Sequence, residues 1–427
     1  MSNDNREINC DLAVIGAGMA GMASALFASS RGVSTVLAGL TSEIIFASGL
    51  IDLMGVHPIG DGKVWENPWE AIQALISDIP NHPFAKINKN DIHGALEEFL
   101  SFMSDAGLPY DRHENRNAKI MTPAGTVKHT YGVPQTMWNG VLALEQKCPC
   151  LIIDIRGLRG FSARQITETL KSSWPDLRHA RISFPHTDHL EEVYLEPVAR
   201  SLALAENRKA LARIIHLHVK DSAMIGFPTI FGINHSVEIF HDLQEMIGVP
   251  IFEIPTMPPS ITGLRIKEAF ETQLPNQGVQ LLLQKKVLKV HHNKGGFILD
   301  AGGPETEYTL KAKGIILASG RFLGRGLRAE RKQIRESIFD LPVFQEGERK
   351  NWHSHDFLDP KGHLINTAGL EIDDKFRPLD SSGKPAFNKL FAAGSILAHQ
   401  DWMRMKCGSG LAIASAYAAV NAFKEQK

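Results

Sequence analysis

The chain has 427 residues, of which 43% are hydrophobic and 22% charged, and its 46 basic and 47 acidic residues leave a net charge of -1. This length and composition predict a globular protein with more than one domain. The balanced charge argues against a nucleic-acid partner, because there is no basic excess to neutralise phosphates. No uninterrupted apolar stretch reaches the roughly 18 residues of a membrane span, and residues 1–9 lack the apolar core of a signal peptide. We therefore expect a cytoplasmic protein that reaches a membrane only through a partner.

A glycine-rich turn follows the first predicted strand. Residues 10–15 form an apolar run typical of a strand buried on both faces, and residues 19–30 predict a helix of small side chains that ends at Gly32. Residues 33–37 predict the next parallel strand. In such a unit the glycines let the chain turn tightly and approach a pyrophosphate at the helix N-terminus. The turn therefore predicts a binding site for a dinucleotide or flavin phosphate formed by Gly16, Ala17, Gly18, Met19, Ala20 and Gly21.

The second strand lacks the acidic residue that usually binds the ribose hydroxyls of the adenosine half. That position falls at Gly39, and the nearest carboxylate is Glu43. A backbone group, Thr41 or Ser42 must then take its place. The alternative is that no adenosine is bound there and the flavin is a mononucleotide.

The middle of the chain has a different pattern from its two ends. Residues 66–106 have helical periodicity, and beyond about residue 108 polar strands give way to a new alternation of strands and helices. The predicted elements are strands at 151–155 and 181–184 and helices at 162–173, 190–211 and 235–247. We predict a discontinuous flavin-binding domain, 1–107 and 257–427, with an inserted α/β substrate or cap domain at 108–256.

Short strands dominate the part that follows residue 257. A helix at 264–273 is predicted to lead into an antiparallel meander with strands at 278–283, 286–291, 296–301 and 308–311. Residues 314–320 then predict a second buried strand that ends in a glycine turn. The predicted fold class is α/β, with a split Rossmann-like flavin domain that combines a parallel sheet with this meander.

The last part of the chain favours a flavin over a nicotinamide. Residues 390–394 predict a strand that brings a glycine to the ribityl chain, and residues 408–423 predict a helix whose N-terminal amides point at the flavin ring. Taken alone, this helix is equally well explained as an alanine-rich core helix. The cofactor contacts predicted outside the first turn are Ser48, Gly49, Ser319, Gly320, Gly394, Ser395, Gly408, Gly410 and Leu411.

These motifs together resemble the fumarate reductase and succinate dehydrogenase type of flavoprotein. The resemblance rests on residues 16–21, 48–52, 278–320 and 390–416. Within that group, residues 47–54, 107–111 and 254–265 are similar to the B subunits of the anaerobic glycerol-3-phosphate dehydrogenases.

The resemblance implies a subunit of a complex that oxidises sn-glycerol 3-phosphate to dihydroxyacetone phosphate. Its implied partners are a catalytic flavoprotein subunit and an iron–sulfur subunit that anchors the complex to the inner membrane and passes electrons to quinone. It implies FAD as the cofactor, with FMN as the alternative. The other hypotheses are a stand-alone fumarate-reductase-like or 2-hydroxyacid flavoenzyme, and a flavin subunit that only relays electrons.

Candidate substrate contacts are polar residues near the predicted domain boundary, in the closing motif and in the inserted domain. Arg265 lies where the inserted domain returns, and His399, Asp401 and Arg404 lie between the two halves of the closing motif. His129, with Tyr131 nearby, lies in the inserted domain, and a histidine can take the proton of an alcohol. The competing interpretation is that the histidines are surface or structural residues and that the arginines pair with carboxylates across the domain join. Asp52 is either a contact of the flavin ring or the cap of a turn.

Cysteine spacing gives no indication of a metal site. The four cysteines are Cys10, Cys148, Cys150 and Cys407, and the one close pair has a single residue between its members. That spacing does not match zinc or iron–sulfur motifs, so we expect no metal.

Overall fold

The computed structural model describes residues 6–40, 44–293 and 295–426. The strands, in chain order, are β1 Arg6–Ile15, β2 Thr35–Gly39, β3 Tyr110–Asp111, β4 Ala118–Met121, β5 Val127–Thr130, β6 Val133–Pro134, β7 Cys150–Ile155, β8 Leu177–Ile182, β9 Met224–Pro228, β10 Ile251–Ile254, β11 Gln280–Leu283, β12 Lys286–Asn293, β13 Gly296–Gly302, β14 Thr306–Leu317, β15 Leu327–Ala329, β16 Ile334–Glu336 and β17 Leu390–Ala392. The α-helices are α1 Met19–Ser30, α2 Pro68–Asp78, α3 Lys89–Asp105, α4 Gln135–Gln146, α5 Ala163–Leu170, α6 Leu195–Ser201, α7 Ala205–Val219, α8 Ser236–Ile247, α9 Ile261–Asn276, α10 Trp402–Met405 and α11 Gly408–Glu425.

The chain forms two compact units. The first comprises Met1–Ile44, Asp52–Phe99 and Phe270–Lys427, and the second comprises Ile45–Ile51 and Leu100–Ala269. Each unit has a parallel sheet of its own. The predicted substrate or cap role of residues 108–256 stays a prediction.

The main sheet of the first unit combines a parallel half with an antiparallel half. Strands β11, β2, β1, β14 and β17 run parallel in that order. Strands β12, β13 and β14 form an antiparallel meander at the other side. This arrangement confirms the predicted fold class, in which a Rossmann-like sheet is joined to a meander.

Two details of the predicted meander are wrong. Strand β11 was expected in the meander but pairs in parallel with β2, because the helix α9 before it allows a crossover connection, which a parallel neighbour requires. The segments predicted at 308–311 and 314–317 are one strand, β14, which pairs with β1 along its whole length. On its other edge β14 pairs first with β13 and then with β17, so the meander and the parallel sheet share a strand.

Helix α1 packs against the closing helix α11. The predicted helix 19–30 is observed with the same bounds, and its small residues leave nine consecutive positions buried, from Ala20 to Ala28. The Phe27 and Tyr417 rings meet edge to face with centroids 5.2 Å apart, and the Arg31 guanidinium lies 4.6 Å from the centroid of the Tyr417 ring. These contacts hold the first and last helices of the unit together.

The helical stretch predicted at 66–106 is two helices, α2 and α3. Asn67 caps α2 by accepting the amide hydrogens of Trp69 and Glu70. Pro80 and Pro83 follow the end of α2, and proline prevents the helix from continuing because it lacks an amide hydrogen. A 3₁₀ turn, Pro83–Lys86, connects the two helices.

The second unit is built on a four-stranded parallel sheet with the order β10-β9-β7-β8. Every residue of β7 is buried, as its apolar sequence predicts for a central strand. Gly140 of α4 and Gly226 of β9 both lie against the Phe252 ring, and a Cβ atom at either position would be 2.7 Å from it. Close packing of the helix on the sheet therefore depends on these two glycines. No α-helix in the described part of either unit is long and apolar enough to cross a membrane.

Candidate functional site

The glycine turn after β1 brings three backbone segments into close contact. Gly16 has a φ of 114°, which strongly favours glycine, and a Cβ atom there would overlap the Ala318 carbonyl. A Cβ atom at Gly21 would overlap the Gly16 carbonyl. Gly18 is the N-cap of α1 and has no side chain with which to cap the helix. The first amides of α1 are therefore not capped by Gly18. This geometry suits a pyrophosphate.

Gly39 ends β2 directly beside this turn. A Cβ atom at Gly39 would lie 2.6 Å from the Ala17 nitrogen and 2.8 Å from the Gly16 Cα. The missing carboxylate therefore has a steric cause, because no side chain fits against the turn. Thr41, Ser42 and Glu43, the nearby candidates for a ribose contact, lie outside the described residues.

The second glycine turn follows β14, next to the first. Gly320 has a φ of 68°. The buried Ser319 hydroxyl oxygen has no hydrogen-bond partner among the described residues. A buried hydroxyl without a partner in the protein is what a bound polar group would satisfy. The turn at Ser319 and Gly320 therefore fits a cofactor that passes close to it.

The closing motif joins its strand and helix by one hydrogen bond. Gly394 has a φ of 80°, and its amide donates to Ser415 Oγ of α11 at 2.9 Å. A Cβ atom at Gly394 would be 2.5 Å from the Ala20 Cβ of α1. The motif thus lies against the N-terminal half of α1, where the first glycine turn ends.

The N-terminus of α11 is bonded to the segment that begins at Asp52. The Asp52 amide donates to Ser409 Oγ at 2.7 Å, and the Gly410 amide donates to the Asp52 carbonyl at 2.9 Å. A Cβ atom at Gly410 would be 2.8 Å from the Asp52 carbonyl oxygen and from the Leu53 Cα. A Cβ atom at Gly408 would be 2.8 Å from the Trp402 ring. Leu411 is buried in the first turn of the helix.

Two of the predicted cofactor residues belong to the second unit. Ser48 Oγ accepts the Leu50 amide at 3.4 Å. Gly49 has a φ of 80° and its carbonyl accepts a hydrogen bond from the Tyr110 hydroxyl at 2.7 Å. A Cβ atom at Gly49 would be 2.6 Å from the Thr262 Cβ. Their contact with a cofactor stays a prediction.

Arg321, which sequence analysis missed, organises the loop that carries Ser395. Its guanidinium donates to the carbonyls of Ser395 at 2.6 Å, Gln400 at 2.8 Å, Leu397 at 3.3 Å and Asn366. Burial lowers the pKa of the Arg321 guanidinium to about 10, against the attraction of a nearby carboxylate. Arginine matches this role because it has five donors in a planar fork. Its place directly after the second glycine turn was the one available sequence signal.

The predicted substrate contacts of the closing loop already have protein partners. His399 has a φ of 62°, its Nε2 lies 3.1 Å from Glu371 Oε1, and its ring packs on Phe344. The buried Asp401 caps α10 and lies 3.2 Å from Arg404 Nη1. Arg404 also donates to the Asp359 carbonyl at 3.1 Å and is partly exposed. Arg404 thus pairs with a carboxylate three residues away, and its contact with a substrate stays a prediction.

Arg265, in the second unit, forms a buried bidentate ion pair with Glu253. Its Nη1 and Nη2 donate to the two carboxylate oxygens at 2.7 and 2.9 Å, and both side chains are at most 3% exposed. Its Nε donates to the Gly232 carbonyl at 2.9 Å. Arg265 thus pairs with a carboxylate of its own unit, and its contact with a substrate stays a prediction.

His129 lies on the β4–β5 hairpin of the second unit and is partly buried. Tyr131 follows it and is 1% exposed, with the Arg112 guanidinium 5.5 Å from its ring centroid. The structure therefore divides the predicted catalytic residues between the two units: His399 and Arg404 in the first, Arg265 and His129 in the second.

Two buried histidines of the first unit were also missed by sequence analysis. His57 is 4% exposed, and its Nε2 lies 2.9 Å from Asp78 Oδ2. His82 is fully buried, and its Nδ1 accepts the Phe84 amide at 3.2 Å. Burial lowers the pKa of the His82 imidazole to about 3, and repulsion by His399 and His57 adds to the shift.

The cysteines are buried or partly buried thiols. Burial raises the pKa of Cys10 to about 12 and raises the pKa values of Cys148, Cys150 and Cys407 as well. A raised pKa keeps the thiol protonated and therefore a poor metal ligand. No group of three or more metal-ligating side chains occurs in the part of the chain that the structure describes.

Comparison with known proteins identifies the family. The model of the FAD binding domain family matches residues 11–411. The B subunit of the anaerobic glycerol-3-phosphate dehydrogenase of Vibrio cholerae serotype O1 is 30% identical over 424 residues, which cover 96% of this chain and 95% of that protein. The chain belongs to the family of anaerobic glycerol-3-phosphate dehydrogenase B subunits.

Other relatives span a similar length. The B subunit of the Aliivibrio fischeri enzyme is 27% identical over 445 residues, covering 98% of this chain and 96% of that protein. Among solved structures, the 3-ketosteroid delta1-dehydrogenase of Sterolibacterium denitrificans aligns with a TM-score of 0.44 and 11% identity, over 98% of this chain and all of that one.

The chain is therefore an FAD-binding flavoprotein, and the prediction of FAD is confirmed. Three features of the first unit fit the cofactor: the glycine turn at Gly16 to Gly21, the buried Ser319 hydroxyl, which lacks a partner among the described residues, and the glycine-lined start of α11. Bound FAD supplies an acceptor for a hydride, that is, for two electrons and a proton. The assignment of individual residues to FAD contacts is a proposal.

Proposed function

We propose that the chain is the FAD-carrying B subunit of a multi-subunit dehydrogenase that oxidises sn-glycerol 3-phosphate to dihydroxyacetone phosphate. Its partners are a second flavoprotein subunit and an iron–sulfur subunit, which holds the assembly at the inner membrane from the cytoplasmic side and passes electrons to quinone. The observation that carries the proposal is the similarity to glycerol-3-phosphate dehydrogenase subunits along 96–98% of the chain.

The structure supports the proposal through the FAD fit of the first unit. The closing loop adds candidate substrate contacts, because His399 lies between Ser395 and Gln400, whose carbonyls accept hydrogen bonds from Arg321, and Arg404 follows shortly after. Arg404 is partly exposed, so a phosphate group can reach it. Arg265 is proposed to stabilise the second unit instead of contacting substrate, because its ion pair with Glu253 is buried. His129 stays a candidate in the second unit.

The first test compares the isolated chain with the assembled complex. The chain is purified alone and together with both partner subunits, and dye reduction by sn-glycerol 3-phosphate is measured with dihydroxyacetone phosphate as the product. We expect slow reduction by the chain alone and full activity in the complex. High turnover of the lone chain on another alcohol or an enoate would contradict the proposal.

A cofactor-site variant connects the activity to this chain's own FAD. In Gly21→Ala the new methyl group overlaps the Gly16 carbonyl, so the turn must open and FAD is lost. Gly60→Ala is the matched control, since a Cβ atom at Gly60 has open space around it. FAD released by acid and separated by chromatography gives the occupancy. An active complex in which Gly21→Ala lacks FAD would show that electrons bypass this subunit.

Arg404→Ala separates substrate binding from electron relay. Loss of flavin reduction with FAD still bound would support a substrate contact at Arg404. Unchanged turnover of the complex would favour a subunit that only relays electrons.

A further inference from the structure

The hairpin of β4 and β5 places two basic side chains directly opposite each other. Its register pairs Lys119 with His129, and the Cβ atoms of residues paired in this way are roughly 4.5–5.5 Å apart on one face of the sheet. Both side chains are partly exposed. A lysine and a protonated histidine in these positions repel each other. An anion bound between them would replace that repulsion by attraction, because both side chains donate hydrogen bonds.

The other face of the hairpin packs against the core of the second unit. Ala118 and Ile120 are buried in one hydrophobic cluster with Met137. Successive side chains of a strand point to opposite faces of the sheet. Lys119 lies between Ala118 and Ile120, so it points away from this cluster, and so does His129, which is paired with it. The face with the two basic side chains is therefore one that a solute can reach.

Arg112 adds a third cation to this region of the second unit. Tyr131 follows His129 by two residues, and the Arg112 guanidinium lies 5.5 Å from the centroid of the Tyr131 ring. The ring is 1% exposed, and the Tyr131 amide donates to the Ile51 carbonyl at 2.9 Å. Arg112 itself is partly exposed. A buried ring attached to a bonded backbone thus holds the guanidinium near the hairpin.

The charge of the surrounding segment is positive. From Asp111 to Tyr131 the sequence has four arginine or lysine residues and two carboxylates. Burial raises the pKa of Asp111, which makes its negative charge less stable there, and Glu114 is exposed. Arg116 is already paired, since its Nη2 lies 3.3 Å from Glu145 Oε1. This excess of cations suits an anionic ligand.

A phosphate monoester matches these three donors in charge and in hydrogen bonding. It carries about -1.5 to -2 charges at neutral pH and has three strong acceptor oxygens. We propose that Lys119, His129 and Arg112 form an anion site in the second unit, which binds the phosphate group of a phosphate monoester. This inference rests on the proposed function, which supplies sn-glycerol 3-phosphate as the ester. Inorganic phosphate has the same chemistry and is the other source.

The site gives His129 a role in binding and not in proton transfer. Its ring donates a hydrogen bond to a phosphate oxygen, and the alcohol proton goes elsewhere. Lys119 supplies a point charge, and Arg112 supplies a planar fork that can hold two oxygens. Removing any of the three should therefore weaken the binding of substrate more than it slows the chemical step.

The main test measures the kinetics of the assembled complex with sn-glycerol 3-phosphate. Lys119→Gln removes the charge and keeps most of the side-chain length. We expect KM to rise about 10-fold or more, as for one lost hydrogen bond to a charged group, with kcat nearly unchanged. Lys128→Gln is the matched control, because Lys128 is the neighbouring lysine on the other face of β5. An unchanged KM in Lys119→Gln would overturn the proposal.

Lys119→Arg tests whether the positive charge is what matters. Arginine keeps a cation and hydrogen-bond donors at this position, so KM should stay within about threefold of the wild-type value. A KM as high as that of Lys119→Gln would show that the lysine acts through its shape and not through its charge, against the proposal. Denaturant unfolding of each variant checks that the partly exposed position tolerates the change.

His129→Gln separates phosphate binding from proton transfer. Glutamine retains an N–H donor but cannot carry a positive charge. We expect KM to rise about 5-fold to 10-fold while kcat stays close to that of the wild type. A kcat lowered about 100-fold at an unchanged KM is the usual result of losing a general base. That outcome would remove His129 from the anion site.

Inorganic phosphate is the probe that distinguishes the two sources of the ligand. In the FAD-loaded full chain, calorimetric titration should show phosphate binding that is about 10-fold weaker in Lys119→Gln and unchanged in Lys128→Gln. No binding by the wild type, or equal binding by Lys119→Gln, would overturn the anion site. In the complex, competition between phosphate and sn-glycerol 3-phosphate would support the substrate as the source. Binding without competition would identify free phosphate as the ligand and exclude the substrate role.

The titration also separates this inference from the proposed function. It needs no turnover and no partner subunit. If the wild-type complex does not oxidise sn-glycerol 3-phosphate, the proposed function fails, and the titration of Lys119→Gln still decides whether the anion site exists.

Discussion

The amide of Gly394 donates to Ser415 Oγ at 2.9 Å, and this hydrogen bond joins the strand and the helix of the closing flavin motif. Both residues are buried, and the Ser415 hydroxyl in turn donates to the Leu411 carbonyl at 2.6 Å. The position of Gly394 relative to α11 therefore depends on one side-chain oxygen.

Ser415→Ala should weaken both the fold and the cofactor site. The variant leaves the Gly394 amide buried without an acceptor, which costs roughly 1–3 kcal/mol of unfolding free energy. FAD should also dissociate more readily, because Gly394 is no longer held. Chemical denaturation and FAD retention on gel filtration measure the two effects. Ser30→Ala, at an exposed helix end, is the control and should stay within about 0.5 kcal/mol.

Arg321→Met should loosen the loop that carries Ser395 and Gln400. The substitution removes the donors of four carbonyl groups, so we expect a loss of about 3 kcal/mol or more in unfolding free energy. Arg321→Lys should recover part of this loss, because lysine keeps the charge but not the planar fork. Denaturant titration of both variants gives the comparison. Equal stability of Arg321→Met and the wild type would show that the loop is held by other contacts.

Arg265→Met should destabilise the second unit because it leaves Glu253 as a buried charge without its cation. The expected loss is about 3–5 kcal/mol, and adding Glu253→Gln to the same chain should recover part of it. The control is Arg200→Met, which breaks an exposed pair with Glu196 and should cost less than about 1 kcal/mol. Denaturant unfolding measures these three variants and the single Glu253→Gln variant, which completes the double-mutant cycle. An additive double variant would argue against coupling between Arg265 and Glu253.

His82 should make the stability of the protein sensitive to acid. Its pKa falls from the ordinary 6.5 to about 3 on folding, so between these values the unfolded chain binds a proton that the folded chain does not. Stability is therefore lost as the pH falls below 6.5, by roughly 1.4 kcal/mol per pH unit. In His82→Asn this contribution is absent, so its stability should decline less between neutral pH and about pH 5.

Unfolding free energies of the wild type and His82→Asn at several pH values test this linkage. His93→Asn serves as the control, because His93 is exposed in the folded protein as well as in the unfolded chain. Parallel curves for the wild type and His82→Asn would mean that the buried ring is protonated in the folded state.

Local patterns predicted the parts of the fold and the site that depend on neighbouring residues. The helix at 19–30 was predicted with its observed bounds, since the small residues and the glycines that mark it are adjacent in sequence. The buried strand β7 was predicted within one residue for the same reason. The glycines of the first turn also indicate their role through spacing alone.

Contacts between distant positions were not predictable from the sequence. Arg321 donates to carbonyls more than forty residues away along the chain. Every residue has a backbone carbonyl, so residue types do not indicate which carbonyls will accept these hydrogen bonds. The pairing of β11 with β2 depends on how the chain crosses the sheet, which strand-like residues at 280–283 do not reveal. His57 and His82 look like ordinary surface histidines until their burial is known.

The contact between Gly39 and the first glycine turn limits which substitutions position 39 accepts. A single base change converts many glycine codons to aspartate or glutamate, so a carboxylate at this position is readily accessible by mutation. The Ala17 nitrogen lies 2.6 Å from where the new Cβ atom would be, so the protein would accept that change only after the turn had moved. A carboxylate at position 39 therefore requires the backbone of the first glycine turn to move, so one substitution there would reshape the proposed phosphate site.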